Sequence, residues 1–255
     1  MNKRILVAVA IGETYERQAD VMAESFLAHN AEWDVKIYRG NEINSLLPMQ
    51  FRNHKPFNRS EIGRWCAVRK ALEDGYETAF YCDNDVFFYG GYESRSAALV
   101  LFPHYVTDEA QRAAAHWLIK DGVPNLGMFE VNGHEGHDIC DVLIREVDAN
   151  PQAFMHANAT LWLQNAATYL PHIGYYVIYN TSVSHNVAHW NLKHKDRSIV
   201  PAFGWPNGIA VLDSYGLRFP LLSFHFSAKG INTLERYGAV VEQLRNEYLK
   251  KLSRC

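Results

Sequence analysis

Two carboxylates interrupt an apolar run between Tyr76 and Gly91, YETAFYCDNDVFFYGG. Asp83 and Asp85 stand one residue apart, with Phe80-Tyr81-Cys82 before them and Val86-Phe87-Phe88 after. An unpaired buried carboxylate costs several kcal/mol, and two close together cost more. A cation resolves this: an Arg or Lys, or a divalent metal. Oxygen ligands at this spacing suit Mg²⁺ or Mn²⁺. The bland alternative is turn chemistry, because Asn84-Asp85 suits a turn after a strand. The context favours a ligand role, since open α/β sheets bind ligands at the carboxyl ends of their strands.

A metal held against a diphosphate often takes one imidazole besides its acids. In LLSFHFSAKG, His225 alternates with Phe224 and Phe226 and faces away from them. Ser227, Lys229 and Gly230 follow, a hydroxyl, a cation and a flexible residue suited to close approach of phosphate oxygens. Taken alone, His225 reads as a core histidine and Lys229 as a solvated cation. A second unusual run, NVAHWNLKHKDR, groups Asn186, Trp190 and Asn191. Amides beside an indole suit sugar recognition, with the ring on an apolar sugar face and amides on hydroxyls. His185 and His189 lack a third zinc ligand, and GHEGHD is one residue short of a metalloprotease pattern.

The elements that must position these residues alternate in type. Ile5–Ile11 reads as a buried strand, Glu16–His29 as a helix and Val35–Tyr38 as a strand, a β-α-β start that gives parallel pairing. Gly40–Asn58 reads as a loop, with one short turn of helix at Leu46-Leu47. Arg59–Asp74 is helical, and Gly75 ends it. Strands are expected at 97–102, 125–131 and 175–179, and helices from Thr107, over 135–147 and over 157–169. Residues 182–206 read as a long loop. Strands at 209–213 and 221–226 are expected to pair, before a closing helix over 232–252.

Composition narrows the class. The chain has 255 residues, 48% of them hydrophobic, which is enough for one large α/β domain. Its formal charge of −3 is spread along the chain and excludes the basic stripe of a general nucleic-acid binder. No apolar run spans a bilayer, and the β-branched start reads as a first strand, not a signal peptide. The four cysteines are scattered, which fits reduced thiols in a cytoplasmic protein. The basic end of the closing helix, Lys250, Lys251 and Arg254, reads first as a solvated face. A peripheral contact with the inner face of a membrane carrying a lipid-linked acceptor is the sharper alternative.

The helix followed by GYETAFYCDNDVFF resembles the D-x-D strand of GT-A glycosyltransferases. LVLFPHY and PNLGMFEV resemble the strands lining their sugar pocket, and NVAHWNL and SFHFSAKG resemble the tails of bacterial surface-polysaccharide transferases. The chain is also similar to the retaining group that includes glycogenin and the lipopolysaccharide galactosyltransferases. The resemblance runs in order over nearly the whole chain. It implies one GT-A-like domain over 1–255, an α/β fold with a central mixed, mostly parallel sheet flanked by helices. Residues 1–105 would be the nucleotide-sugar half and 106–255 the acceptor half.

It implies a metal-dependent sugar transfer from a nucleotide diphosphate sugar, UDP-hexose above others, to a glycan or glycolipid acceptor. Asp83, Asp85 and His225 would hold Mn²⁺ or Mg²⁺. Arg59, Arg64, Ser227 and Lys229 would meet the nucleotide diphosphate. His104 and Asn125 would meet the donor sugar, and Asn186, Trp190 and Asn191 the acceptor. Asp85, Lys229 and Asn125 would carry the chemistry. The matches at His225 and Lys229 point to retention, with inversion left open. The chain departs from the pattern at Ala228, where Gly is usual, and at Asn158-Ala159-Thr160, where acids are expected. A non-catalytic sugar-binding or scaffold protein on the same fold is the alternative, and a nucleotidyltransferase a weaker one.

Overall fold

The structure is a computed structural model that describes residues 3–104, 123–149, 151, 163, 166–167, 169–179, 187–189, 198–202, 208–212, 218–226 and 239–254. Every structural statement below concerns these residues.

The first strand, β1 (Arg4–Ala10), is buried along almost its whole length, so it must sit inside a sheet. It pairs in parallel with β2 (Asp34–Arg39) on one side and β3 (Thr78–Cys82) on the other. Beyond β3 the sheet turns mixed. β6 (Val123–Asn132) is antiparallel to both β3 and β5 (Leu99–His104), and β7 (Val177–Tyr179) is parallel to β5. The six-stranded order is β2-β1-β3-β6-β5-β7. Only β6 runs against the others, so the sheet is mixed and mostly parallel, the α/β architecture the residue patterns imply.

Helices cover both faces, and strand alternation decides which side chain meets which helix. Ala79 and Tyr81 of β3 join the core under α3 (Pro56–Glu73) and α4 (Gly133–Ala149). Phe80 and Cys82 face the other way, toward Met22 and Phe26 of α1 (Glu13–Leu27). Aromatic pairs fill both layers: Trp65 stacks on Phe129 at 4.2 Å and Phe80 on Tyr92 at 4.2 Å.

Two smaller three-stranded sheets lie beside the main one. One is β11-β10-β9, built from β9 (Ser198–Pro201), β10 (Ile209–Leu212) and β11 (Arg218–Pro220). The other is β4-β12-β8, built from β4 (Val86–Phe88), β8 (Val187–His189) and β12 (Ser223–His225). The closing helix α5 (Ala239–Leu252) buries Leu244 and Tyr248 against Phe226 and Phe87 of this second sheet. Lys251 pairs with Glu24 of α1.

Three expectations from sequence are corrected. Gly40–Asn58 is not a loop with one turn: it holds the helix α2 (Gly40–Leu46), a 3-10 turn at Met49–Phe51 and the start of α3 at Pro56. The signal was thin because Ile43 alone supplies the buried contact of α2. It packs against Gly63, where a Cβ would stand 3.1 Å from the Ile43 side chain. Helix α3 starts early because proline is tolerated in a first turn, where no amide proton needs a partner. Residues 182–206 contain β8 and β9, short strands that exist only through their partners. The strands over 209–213 and 221–226 share one bond, Leu221 N to Ile209 O at 3.1 Å, but they do not form the strand pair expected. The chain changes sheets after Pro220, so β10 takes β11 while β12 goes to β4 and β8. The helix expected from Thr107 lies outside the described residues, as do most of 157–169 and all of 232–238.

Glu130 of β6 is completely buried, yet it is satisfied. Its carboxylate accepts from Tyr92 Oη (2.7 Å), Ser94 Oγ (3.0 Å), the Arg95 amide (3.0 Å) and Asn132 Nδ2 (2.8 Å). These bonds fix the segment that leads from β4 to β5. Burial raises its pKa, and the donors only partly offset that. The native state therefore binds this proton more tightly than the unfolded chain, so stability falls as pH rises through the window between the two values. Glu130→Ala strands several buried donors and is expected to cost on the order of 3 kcal/mol in chemical denaturation. Glu130→Gln keeps an acceptor, costs less, and removes the pH dependence in that window.

Candidate metal and donor site

The two aspartates lie where β3 leaves the main sheet. After Cys82 the backbone turns, with Asn84 and Asp85 in the turn, and re-enters extended structure at Val86. Turn chemistry and ligand chemistry therefore coexist here. Asp83 is held by its own amide, which donates to Gly127 O at 2.7 Å, and by Tyr81 Oη, which donates to Asp83 Oδ1 at 3.1 Å. The buried Asn84 between the acids ties the turn to the end of β1 through Nδ2 to Val9 O at 2.8 Å. The Asp83 and Asp85 side chains keep 28% and 20% exposure, so water and ligands reach both.

The third group arrives from far along the chain. β12 runs antiparallel to β4 and places His225 opposite Val86. The Phe226 amide donates to Asp85 O at 2.6 Å, which pins the two segments at the site. Phe224 and Phe226 turn into the core against Tyr248 and Phe87. Alternation then aims the His225 imidazole at the acids: Nε2 lies 2.8 Å from Asp85 Oδ1 and 3.8 Å from Asp83 Oδ2.

Asp83, Asp85 and His225 each offer a ligand atom, and these lie within 4.8 Å of one another. This is the group of metal-ligating side chains found among the described residues. Two carboxylates with one imidazole fit Mn²⁺ or Mg²⁺ by donor type. Electrostatics point the same way. Burial pulls the His225 pKa down, but Asp85 and then Asp83 outweigh it, so the imidazole holds its proton above its ordinary value. A site that draws a proton onto a buried imidazole is one that wants positive charge.

Arg64 supplies part of that charge from α3. It is buried, and burial opposes its charge, but Glu61, Tyr81 and Asp83 hold it firmly protonated. It pairs with Glu61, donates to Leu126 O and comes within 4.0 Å of Asp83 Oδ1. Its guanidinium lies over the Tyr81 ring at 5.2 Å. Arg59 instead donates from Nη1 to Asn44 Oδ1 at 3.0 Å, and it does not line the cleft at the aspartates.

That cleft has a volume of about 340 Å³ and runs from the end of β1 across α3 to His225. Tyr15 and Phe57 flank it and are 51% and 56% exposed, large aromatic surfaces left facing solvent beside the acids. The sequence reading missed Tyr15, Phe57, Glu61, Tyr81 and Asn84. Only Asn84 carried a local signal, as turn chemistry; the rest reach the cleft through packing. At His104 and Asn125 the structure describes backbone only, on the paired strands β5 and β6. Asn186, Trp190, Asn191, Ser227 and Lys229 lie outside the described residues.

Fold and site together define a GT-A-like α/β scaffold with a D-x-D-type acid pair. The chain superposes on a glycosyltransferase involved in glycosylation of the major capsid of PBCV-1, with TM-score 0.53 and 10% identity over 99% of this chain and 100% of that one. It also superposes on galactosyltransferase LgtC in complex with donor and acceptor sugar analogs, with TM-score 0.54 and 10% identity over 98% and 95% of the two chains. An active-site mutant of LgtC gives TM-score 0.53 at 11% identity over 88% and 87%. No protein-family model and no curated protein matches the chain in sequence.

Two outcomes follow from the geometry. Titration with Mn²⁺, read by electron paramagnetic resonance, should show one site that Asp85→Ala abolishes. It should weaken as pH falls through the raised His225 value, because the imidazole must lose its proton to coordinate. Arg64→Ala removes the buried ion pair with Glu61 and the donor to Leu126 O and should cost about 3–5 kcal/mol in urea denaturation.

Proposed function

We propose that this protein is a metal-dependent glycosyltransferase. It takes a nucleotide diphosphate sugar, UDP-hexose above others, and passes the sugar to a glycan or lipid-linked acceptor in surface polysaccharide synthesis. The observation that carries this reading is the convergence of Asp83, Asp85 and His225 in an open cleft, at the end of β3, on a GT-A-like fold.

In this reading Asp83, Asp85 and His225 hold Mn²⁺ or Mg²⁺. The bound metal supplies Lewis-acid stabilisation of charge on the departing nucleoside diphosphate. The protein's own groups do the rest. Tyr81 and Arg64 fix the Asp83 carboxylate from behind, so it meets its ligand without reorganising. Asn84 locks the turn that spaces the two acids. Tyr15 offers a face on which a nucleobase stacks. Lys229 and Ser227 meet the diphosphate. His104 and Asn125 contact the donor sugar, with Asn125 beside the reacting carbon. Asn186, Trp190 and Asn191 shape the acceptor side. The likeness of His225 and Lys229 to the retaining group favours retention, with inversion left open. The unpaired buried thiols Cys66, Cys82 and Cys140 are consistent with a reducing, cytoplasmic compartment.

The test is nucleotide release across a panel of nucleotide sugars with Mn²⁺, with EDTA and with Asp85→Ala. One donor should be hydrolysed slowly, and the rate should fall on the order of a hundredfold or more in EDTA and in the variant. Binding measured in parallel separates the outcomes. Metal-dependent binding without release means that an acceptor is required, and no binding of any nucleotide sugar overturns the proposal.

A further inference from the structure

One lip of the cleft combines exposed apolar side chains with cations. Between Glu42 and Glu61 the chain has no acidic residue, although its net charge is −3. The same stretch carries Arg52, Lys55 and Arg59, with His54 between them. Its middle, 49–57, leaves the core as the 3-10 turn at Met49–Phe51 and returns as the first turn of α3. Phe51 alone anchors it, fully buried. Around that anchor Met49 is 79% exposed and Phe57 56% exposed. Arg52 and Lys55 are exposed between them.

Large apolar side chains interleaved with exposed cations have a limited set of uses. A structural role is not one of them, because Met49 and Phe57 bury little here. Arg52 Nε donates to Leu47 O at 3.1 Å, which shapes the turn and leaves the guanidinium at the surface. Nearby acids are already engaged: Glu42 pairs with Lys36, and Asp148 accepts from Gln50. The opposite lip, at the start of α1, carries Glu13 and Glu16. Among the described residues at the mouth, the 49–57 lip carries cations without acids, while the α1 lip carries both signs, with Arg17 beside Glu13 and Glu16.

We propose that residues 49–57 form an interfacial docking surface for an anionic lipid membrane. Met49 and Phe57 enter the headgroup boundary while Arg52 and Lys55 meet acidic headgroups, the arrangement that peripheral proteins use without spanning the bilayer. No described helix is long and apolar enough to cross a membrane. Pro56, Phe57 and Ser60 belong to this lip and also line the cleft. Docking there sets the mouth of the site at the lipid surface, where a lipid-linked acceptor would present its sugar. That last link rests on the transferase reading; the membrane contact itself does not. The surface is distinct from the basic end of α5, where Lys251 is paired to Glu24.

The test is co-sedimentation of the full chain with phosphatidylcholine vesicles, with and without phosphatidylglycerol. Two paired variants are compared, Met49→Ser with Lys55→Glu on the lip, and Lys250→Glu with Arg254→Glu on α5. None of these four residues lines the cleft, so donor hydrolysis and thermal unfolding should match the parent chain. The parent should pellet only with phosphatidylglycerol and be released by salt. The lip variant should lose at least about tenfold in partitioning, and the α5 variant much less. Three results overturn the proposal: no binding to acidic vesicles, equal binding by the lip variant, or loss confined to the α5 variant. Release of the protein from vesicles by inorganic phosphate at matched ionic strength would also overturn it, since that marks a site for free phosphate. Vesicle binding without any nucleotide-sugar binding would uphold this surface while removing the transferase reading.

Discussion

Everything in this site depends on one antiparallel pairing, β12 against β4. It brings His225 within hydrogen-bonding distance of Asp85, across 140 residues of chain. The pairing is fixed from behind by an apolar layer in which Phe224 and Phe226 pack together, with Phe226 stacked on Tyr248 at 4.7 Å. Strand alternation converts that burial into direction. If the phenyl rings face the core, the imidazole between them faces the acids, and a one-residue slip would reverse both. The hydrophobic effect thus aims a polar side chain at the acids.

The acids are held by a different device. Asp83 receives a phenol, a backbone contact and a nearby guanidinium, and Asp85 receives an imidazole. Each partner is itself buried or held by another group. Arg64 is pinned by Glu61 and Leu126 O, and Tyr81 is stacked on Phe129. Such an arrangement stores negative potential at the cleft while restricting how the carboxylates move. That combination suits binding a small divalent cation, whose ligands lose little freedom when it arrives. Glu130 shows a contrasting use of a buried acid on the neighbouring strand. There, neutral donors surround the carboxylate completely, and the result is a fixed connection with no opening to ligand.

The similarity to PBCV-1 glycosyltransferase and LgtC covers nearly the full length of both chains at about a tenth identity. Conservation of architecture at that identity means the fold is maintained by pattern, with alternating strands, two helical layers and glycines at close contacts. In such folds the activity resides in a few placed groups. The convergence of Asp83, Asp85 and His225, a group able to hold a metal, on the carboxyl end of β3 is therefore the part of the architecture that bears on chemistry.

The order of the first elements, β1-α1-β2 and then α3-β3, was legible from apolar periodicity because each segment buries one continuous face. Asp83 and Asp85 were legible because charge inside an apolar run is expensive and needs a reason. The direction of His225 was legible from strand alternation. Other features were not, and the reason is common to them. Helix α2, strands β8 and β9, and the change of sheet after Pro220 rest on contacts between segments distant in sequence, with little local propensity of their own. Tyr15, Phe57, Glu61 and Tyr81 are ordinary residues until the fold collects them around one cleft. Residue types and spacing carry the chemistry a chain is able to perform; which of those residues meet is set by long-range pairing, whose energy appears only once the sheet and its helices have closed.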